Sequence, residues 1–148
     1  MYCNNMYNNY DNDLFNYYTT STFDNRTKEY LISRYEPNAY WDYGDTVNIT
    51  FNIIECTELT LADIESLEGK FLRVNFYNNR YELIPFTYEI DGTSQFSVYL
   101  DYNISTKYFK RGTYHCSIDV LTYVDEEKTE ISTSETILPM VKCSFYVQ

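Results

Sequence analysis

The chain of 148 residues is poor in the residues that make tight turns and helices, with four glycines, three prolines and two alanines, Ala39 and Ala62. Alanine supports helix better than any other residue, so its scarcity points away from an α-helical fold. Basic residues are also few: 11 Lys and Arg face 22 Asp and Glu, a formal net charge of −11. Nucleic-acid binders gain affinity by neutralising phosphates, so this balance excludes that class of partner, and anionic membrane surfaces with it. No apolar run reaches the ~20 residues of a membrane-spanning helix. The first residues lack the basic start, apolar stretch and small-residue cleavage site of a signal peptide.

Motifs that carry chemistry are scarce as well. There is no GxSxG, HExxH, Walker loop or GxGxxG. The sole histidine, His115, alternates with Tyr114 and Cys116 and points away from them, so it cannot form a nucleophilic pair with its strand neighbour. The cysteines Cys3, Cys56, Cys116 and Cys143 form no CxxC pair and have no histidine at zinc-ligand spacing. Without a secretion signal they are expected as reduced thiols, with Cys116 and Cys143 facing the core on late strands. The carboxylates of Asp63, Glu65 and Glu68 lack the glycine pattern of a calcium loop, and Asp125, Glu126 and Glu127 read as a solvated turn. No metal, cofactor or enzymatic activity is expected.

Aromatic residues, by contrast, make up 19% of the chain, and nine of its 18 tyrosines lie within the first 43 residues. The opening MYCNNMYNNYDNDLFNYY, Met1 to Tyr18, is almost wholly tyrosine and asparagine. Disordered tails are poor in aromatics, while tyrosine supplies rigid contact area with a polar handle. Residues 1–42 therefore read as an N-terminal assembly arm that orders on a partner. Its candidate partner contacts, with the first residue beyond it, are Tyr2, Tyr7, Tyr10, Phe15, Tyr17, Tyr18, Tyr40, Trp41 and Tyr43. Within the arm, residues 27–36 fit a short helix or a strand equally well. Trp41 with Tyr40 and Tyr43 also supports a second reading, a carbohydrate-binding module that stacks a sugar on an aromatic platform.

From Tyr43 the period is two. Val47, Ile49, Phe51 and Ile53 alternate with Asn48, Thr50 and Asn52, as in a half-buried strand. Leu72, Val74 and Phe76 face inward in a hairpin that turns at Asn78-Asn79. Asp91-Gly92 marks a second hairpin, with Phe96, Val98 and Leu100 inward. Tyr114, Cys116, Ile118 and Val120 form the next core face, and Val141, Cys143, Phe145 and Val147 the last. About seven strands without convincing helices make an all-β, antiparallel sandwich of residues 43–148, immunoglobulin-like or jelly-roll-like. An up-and-down barrel is the alternative closure.

The strand beginning Gly44-Asp45-Thr46, the segment TELT…LEGKFLRVNFYNN leading into a hairpin, and the late strand KRGTYHCSIDV together resemble the N-terminal β-sandwich of the baseplate upper protein of tailed bacteriophages. The likeness runs from about Tyr43 to Gln148. It implies a non-enzymatic structural protein of a virion, assembled in the host cytoplasm and joined to other virion proteins and to copies of itself. Because this sequence stops at the sandwich, a capsid-decorating, fibre-anchoring or tail-adaptor role is expected rather than direct host binding.

Overall fold

A computed structural model describes residues 14–21, 28–35, 40–56, 61–62, 67, 69–93 and 95–148. Along the chain run β1 (Leu14–Ser21), β2 (Lys28–Tyr35), β3 (Tyr40–Trp41), β4 (Val47–Cys56), β5 (Leu61–Ala62), β6 (Phe71–Tyr77), β7 (Leu83–Asp91) and β8 (Gln95–Leu100). After these come a helix α1 (Tyr102–Tyr108), β9 (Gly112–Tyr123), β10 (Ile131–Leu138), a 3-10 turn (Met140–Lys142) and β11 (Ser144–Val147). Among the described residues nine strands have four residues or more, against the seven expected from periodicity. The additional two are β1 and β2, which the sequence analysis assigned to the arm.

The strands form two packed, largely antiparallel sheets. In the first, β4 is flanked by β2 on one side and by β8 and β5 in tandem on the other, and β1 extends the sheet beyond β2. In the second, β9 is central: β6 and then β7 lie on one side, with β10 and β11 in tandem on the other. The two-residue β3 pairs in parallel with β11. The expected sandwich is therefore present, with residues 14–35 contributing two strands to it.

Alternation decides most of the packing. Val47, Ile49, Phe51 and Ile53 from β4, Phe96, Val98 and Leu100 from β8, and Leu72, Val74 and Phe76 from β6 are all buried in one core. Tyr114, Cys116, Ile118 and Val120 of β9, beside β6 in the second sheet, belong to the same core. Tyr30 and Ile32 of β2 belong to the same core, which settles residues 28–35 as strand. Pro85 sits in β7, a sheet edge, where a strand tolerates a residue without an N–H. The β6–β7 register slips between Asn75 and Tyr77, beside that proline.

Two expectations from the sequence fail, each for a physical reason. Asp91-Gly92 does not turn a hairpin: β7 lies in the second sheet and β8 in the first, so the chain crosses between sheets here. Gly92 does not take the left-handed backbone of a hairpin glycine. Instead, a Cβ at this position would stand 2.1 Å from the Leu67 carbonyl oxygen, while its N–H donates to the Lys70 carbonyl at 2.8 Å. The glycine is there for close backbone approach. Val141, expected inward, is 69% exposed because the 3-10 turn interrupts the period before β11. The connection after β8 also contains the short α1, capped by the Asp101 carboxylate accepting from the Ile104 N–H at 2.9 Å. No helix among the described residues is long and apolar enough to cross a membrane.

Candidate assembly site and the buried cluster beneath it

Of the candidate partner contacts, Tyr2, Tyr7 and Tyr10 lie outside the described residues. The others are placed differently from one another. Phe15 and Tyr17 pair directly across from Arg34 and Ile32, so they share the inward face of β1 and β2. Tyr18 lies on the opposite face, half-buried. Tyr40 forms part of β3, and Trp41 beside it is a core residue, 3% exposed. Its ring lies 4.4 Å from Phe145 and 6.1 Å from Phe109. Trp41 therefore offers no face to a sugar, and the aromatic platform of the carbohydrate-binding reading is not formed by this residue. Tyr43, in contrast, is exposed.

β1 pairs with β2 along its whole length and has no second strand partner among the described residues. Its other side is thus a sheet edge, the kind of surface that accepts a strand from a neighbouring chain. One edge carbonyl is covered from the 3-10 turn before β11: Lys142 donates its ammonium to the Tyr18 carbonyl at 2.9 Å.

Under β1 lies a cluster built around Arg34. Arg34 follows Tyr30 and Ile32 at a spacing of two, and so its long side chain enters the sandwich, where it is 0% exposed. Its guanidinium lies 4.3 Å from the Phe15 ring centroid and donates to the Cys143 Sγ at 3.1 Å and to the Ser144 carbonyl at 2.9 Å. The free thiols of Cys116 and Cys143 approach to 2.8 Å across the β9–β11 pair. Burial opposes ionisation of Cys143. The Cys116 S–H, the Arg34 charge and the Tyr17 hydroxyl together outweigh it and lower the thiol to about 6. Burial and the adjoining Cys143 raise the Tyr17 hydroxyl above the usual tyrosine range, so it stays a donor. A thiolate held this way is an internal counter-ion for a buried arginine, which needs one.

Two other features complete the map of polar chemistry. On the outer face of the second sheet, Asn75 donates to Asp119 at 2.7 Å, Thr136 donates to the same carboxylate at 2.7 Å, and Arg73 pairs with Glu89 at 3.1 Å. His115 points outward as expected but is half-covered, its ring stacked 4.6 Å from Tyr81. No group of three or more His, Cys, Asp or Glu among the described residues is placed to hold a metal ion.

Sequence reasoning missed Arg34, whose parity with Tyr30 and Ile32 was the available signal. It also missed Lys110 and Arg111, which stand over the Tyr43 ring at 5.5 and 5.4 Å. No family model, curated protein or solved structure matches the chain.

Proposed function

We propose that this chain is a non-enzymatic structural subunit of a tailed-phage virion, a capsid-decorating, fibre-anchoring or tail-adaptor protein that works by protein–protein assembly. The observation that carries the reading is the position of the Tyr/Asn-rich stretch. Its last residues, Leu14 to Tyr18, lie in edge strand β1, which has β2 on one side and no strand on the other among the described residues. Among the described residues, a strand carrying Tyr17 and Tyr18 thus has a side that no other strand pairs, with the Tyr18 carbonyl covered by Lys142. Backbone pairing gives a neighbouring strand its affinity, and the flanking aromatics give contact area. The sandwich supplies the rigid platform, and the sequence resemblance of about Tyr43 to Gln148 to the N-terminal domain of phage baseplate upper proteins supports a virion as the assembly.

The test is incorporation. Particles purified on a density gradient from cells producing the full chain should carry it in fixed stoichiometry with the other virion proteins. A chain shortened by residues 1–13, which leaves β1 whole, should fold and yet fall at least about tenfold in particle-bound fraction, the equivalent of ~1.4 kcal/mol. Full incorporation of the shortened chain, or absence of the intact chain from particles, overturns the proposal.

A further inference from the structure

The two ends of β9 carry opposite charge. Immediately before it stand Lys107, Lys110 and Arg111; immediately after it come Asp125, Glu126, Glu127 and Glu130. β9 has 12 residues, and at a rise of roughly 3.3 Å per residue its ends are separated by about 36–40 Å. These seven groups thus stand at opposite ends of one strand.

The basic pole is a built recess. Tyr43, Lys110 and Arg111 line an open depression of about 420 Å³. The Tyr43 N–H donates to the Gln148 carbonyl at 3.0 Å, which anchors the ring, and Lys110 donates to the Thr106 carbonyl at 2.6 Å. Two cations over one ring attract it but repel each other. No carboxylate relieves them: among the described residues Lys107, Lys110 and Arg111 have no carboxylate partner, in a chain with 22 acidic residues. The nearby acids do not answer them either. Asp45 accepts from the Asp42 N–H and Asp101 from the Ile104 N–H.

The acidic pole has the complementary form. Asp125 accepts from the Thr129 N–H at 3.0 Å, and the Val124 N–H donates to the Glu130 carbonyl at 2.9 Å, so the turn is held in shape. Its one cation, Lys128, bends back to Glu89 at 3.5 Å and lies 4.1 Å from the Phe71 ring centroid. That leaves Glu126 and Glu127 exposed at the tip with no opposing charge. Each pole also has an apolar shoulder, Tyr102 at the basic end and Val124 at the acidic end, both more than half exposed.

We infer that the Tyr43–Lys110–Arg111 recess receives the Glu126–Glu127 turn of a second copy, so that copies join head to tail along the direction of β9. A heterologous contact of this kind generates rings or filaments. The net charge of −11 does not forbid it, since at physiological salt the Debye length is about 8 Å and the local charges dominate. This contact rests on the assembly reading and supplies its self-association.

The experiment uses the full chain in sedimentation, at low and high salt, with two variants: Lys110→Ala/Arg111→Ala and Glu126→Gln/Glu127→Gln. The wild type should self-associate and weaken at least about tenfold between 50 and 500 mM salt. Each variant alone should lose association at least tenfold. Their equimolar mixture should form a one-to-one dimer and nothing larger, because it retains one intact recess and one intact turn. Wild-type association in both variants, a monomeric mixture, or a monomeric wild type overturns the inference. So does inorganic phosphate binding to the recess without any association of copies. If the pole variants behave as wild type and still enter virion particles, this contact fails and the assembly reading stands. If the poles associate but the chain never enters particles, the reverse holds.

Discussion

Two neighbouring zones of the same interior solve burial differently. Phe109 stands in a cluster of rings: Trp41, Phe76, Tyr114 and Phe145 lie at centroid distances of 5.2 to 6.1 Å, mostly edge-on. One step along β11, the interior holds Arg34, Tyr17, Cys116 and Cys143. The first zone is stabilised by area and shape, and burial raises its one ionisable group, the Tyr114 hydroxyl, which therefore stays neutral near neutral pH. The second depends on a charge balance, since a guanidinium out of water is tolerable only with its partners present. The difference teaches where this fold is robust and where it is conditional, and the conditional zone lies directly beneath β1, the strand assigned to assembly.

The largest effect should come from the aromatic zone. Phe109 is fully buried in the segment after α1 and touches rings from both β6 and β11. Phe109→Ala leaves a cavity that the surrounding strands cannot close, at a cost of about 3–5 kcal/mol. Urea unfolding should show this loss equally at pH 6 and pH 8. A loss that varies with pH would mean that the two zones are not separate.

The thiol zone should give a smaller, pH-dependent effect. Cys143 is lowered from 9.0 to about 6 in the folded chain. A group lowered on folding stabilises fully above its unfolded value and loses that contribution as pH falls through the folded one. Stability measured under reducing conditions should therefore rise from about pH 6 to about pH 9, by on the order of 2–4 kcal/mol. Tyr17 titrates above this window and does not alter the sign. Cys143→Ala should flatten the profile, while Phe109→Ala should keep its slope. A wild-type profile already flat across that range would remove the thiolate–guanidinium pairing.

How much of this was legible in the sequence follows from the same contrast. Residues whose role is set by parity within one strand were readable: Val47 to Ile53, Leu72 to Phe76, and Phe96 to Leu100 are inward as alternation requires. Roles set by a partner in another sheet were not. β1 and β2 read as an arm because Tyr, Asn and Thr on β1 make no apolar stripe, yet Thr19 and Tyr17 face the interior once β2 brings them over it. Arg34 shares the parity of Tyr30 and Ile32, but its buried partner Cys143 lies 109 residues away in sequence, so the pairing that gives it a place inside was not legible. Gly92 carried the right composition for a turn and a different purpose, set by a carbonyl of Leu67. Tyr43 kept its expected exposure, but the cations beside it arrive from a loop more than 60 residues later.

The smallest effect on stability should come from the link between β1 and the 3-10 turn. Lys142 is exposed, and its hydrogen bond to the Tyr18 carbonyl runs from the 3-10 turn before β11 to β1. A bond of this kind, half in water, contributes about 0.5–1 kcal/mol, so Lys142→Ala should barely move the unfolding midpoint. Its effect should appear elsewhere. A lysine over an edge carbonyl blunts that edge against indiscriminate pairing. Its removal should raise self-association through β1 at concentrations where the wild type is unaffected, in sedimentation at high salt, which suppresses the charged poles of β9. A rise there with unchanged stability would identify β1 as a strand-accepting edge; no rise would leave Lys142 as a minor tether and place the assembly contacts of the Tyr/Asn-rich stretch away from the backbone of β1.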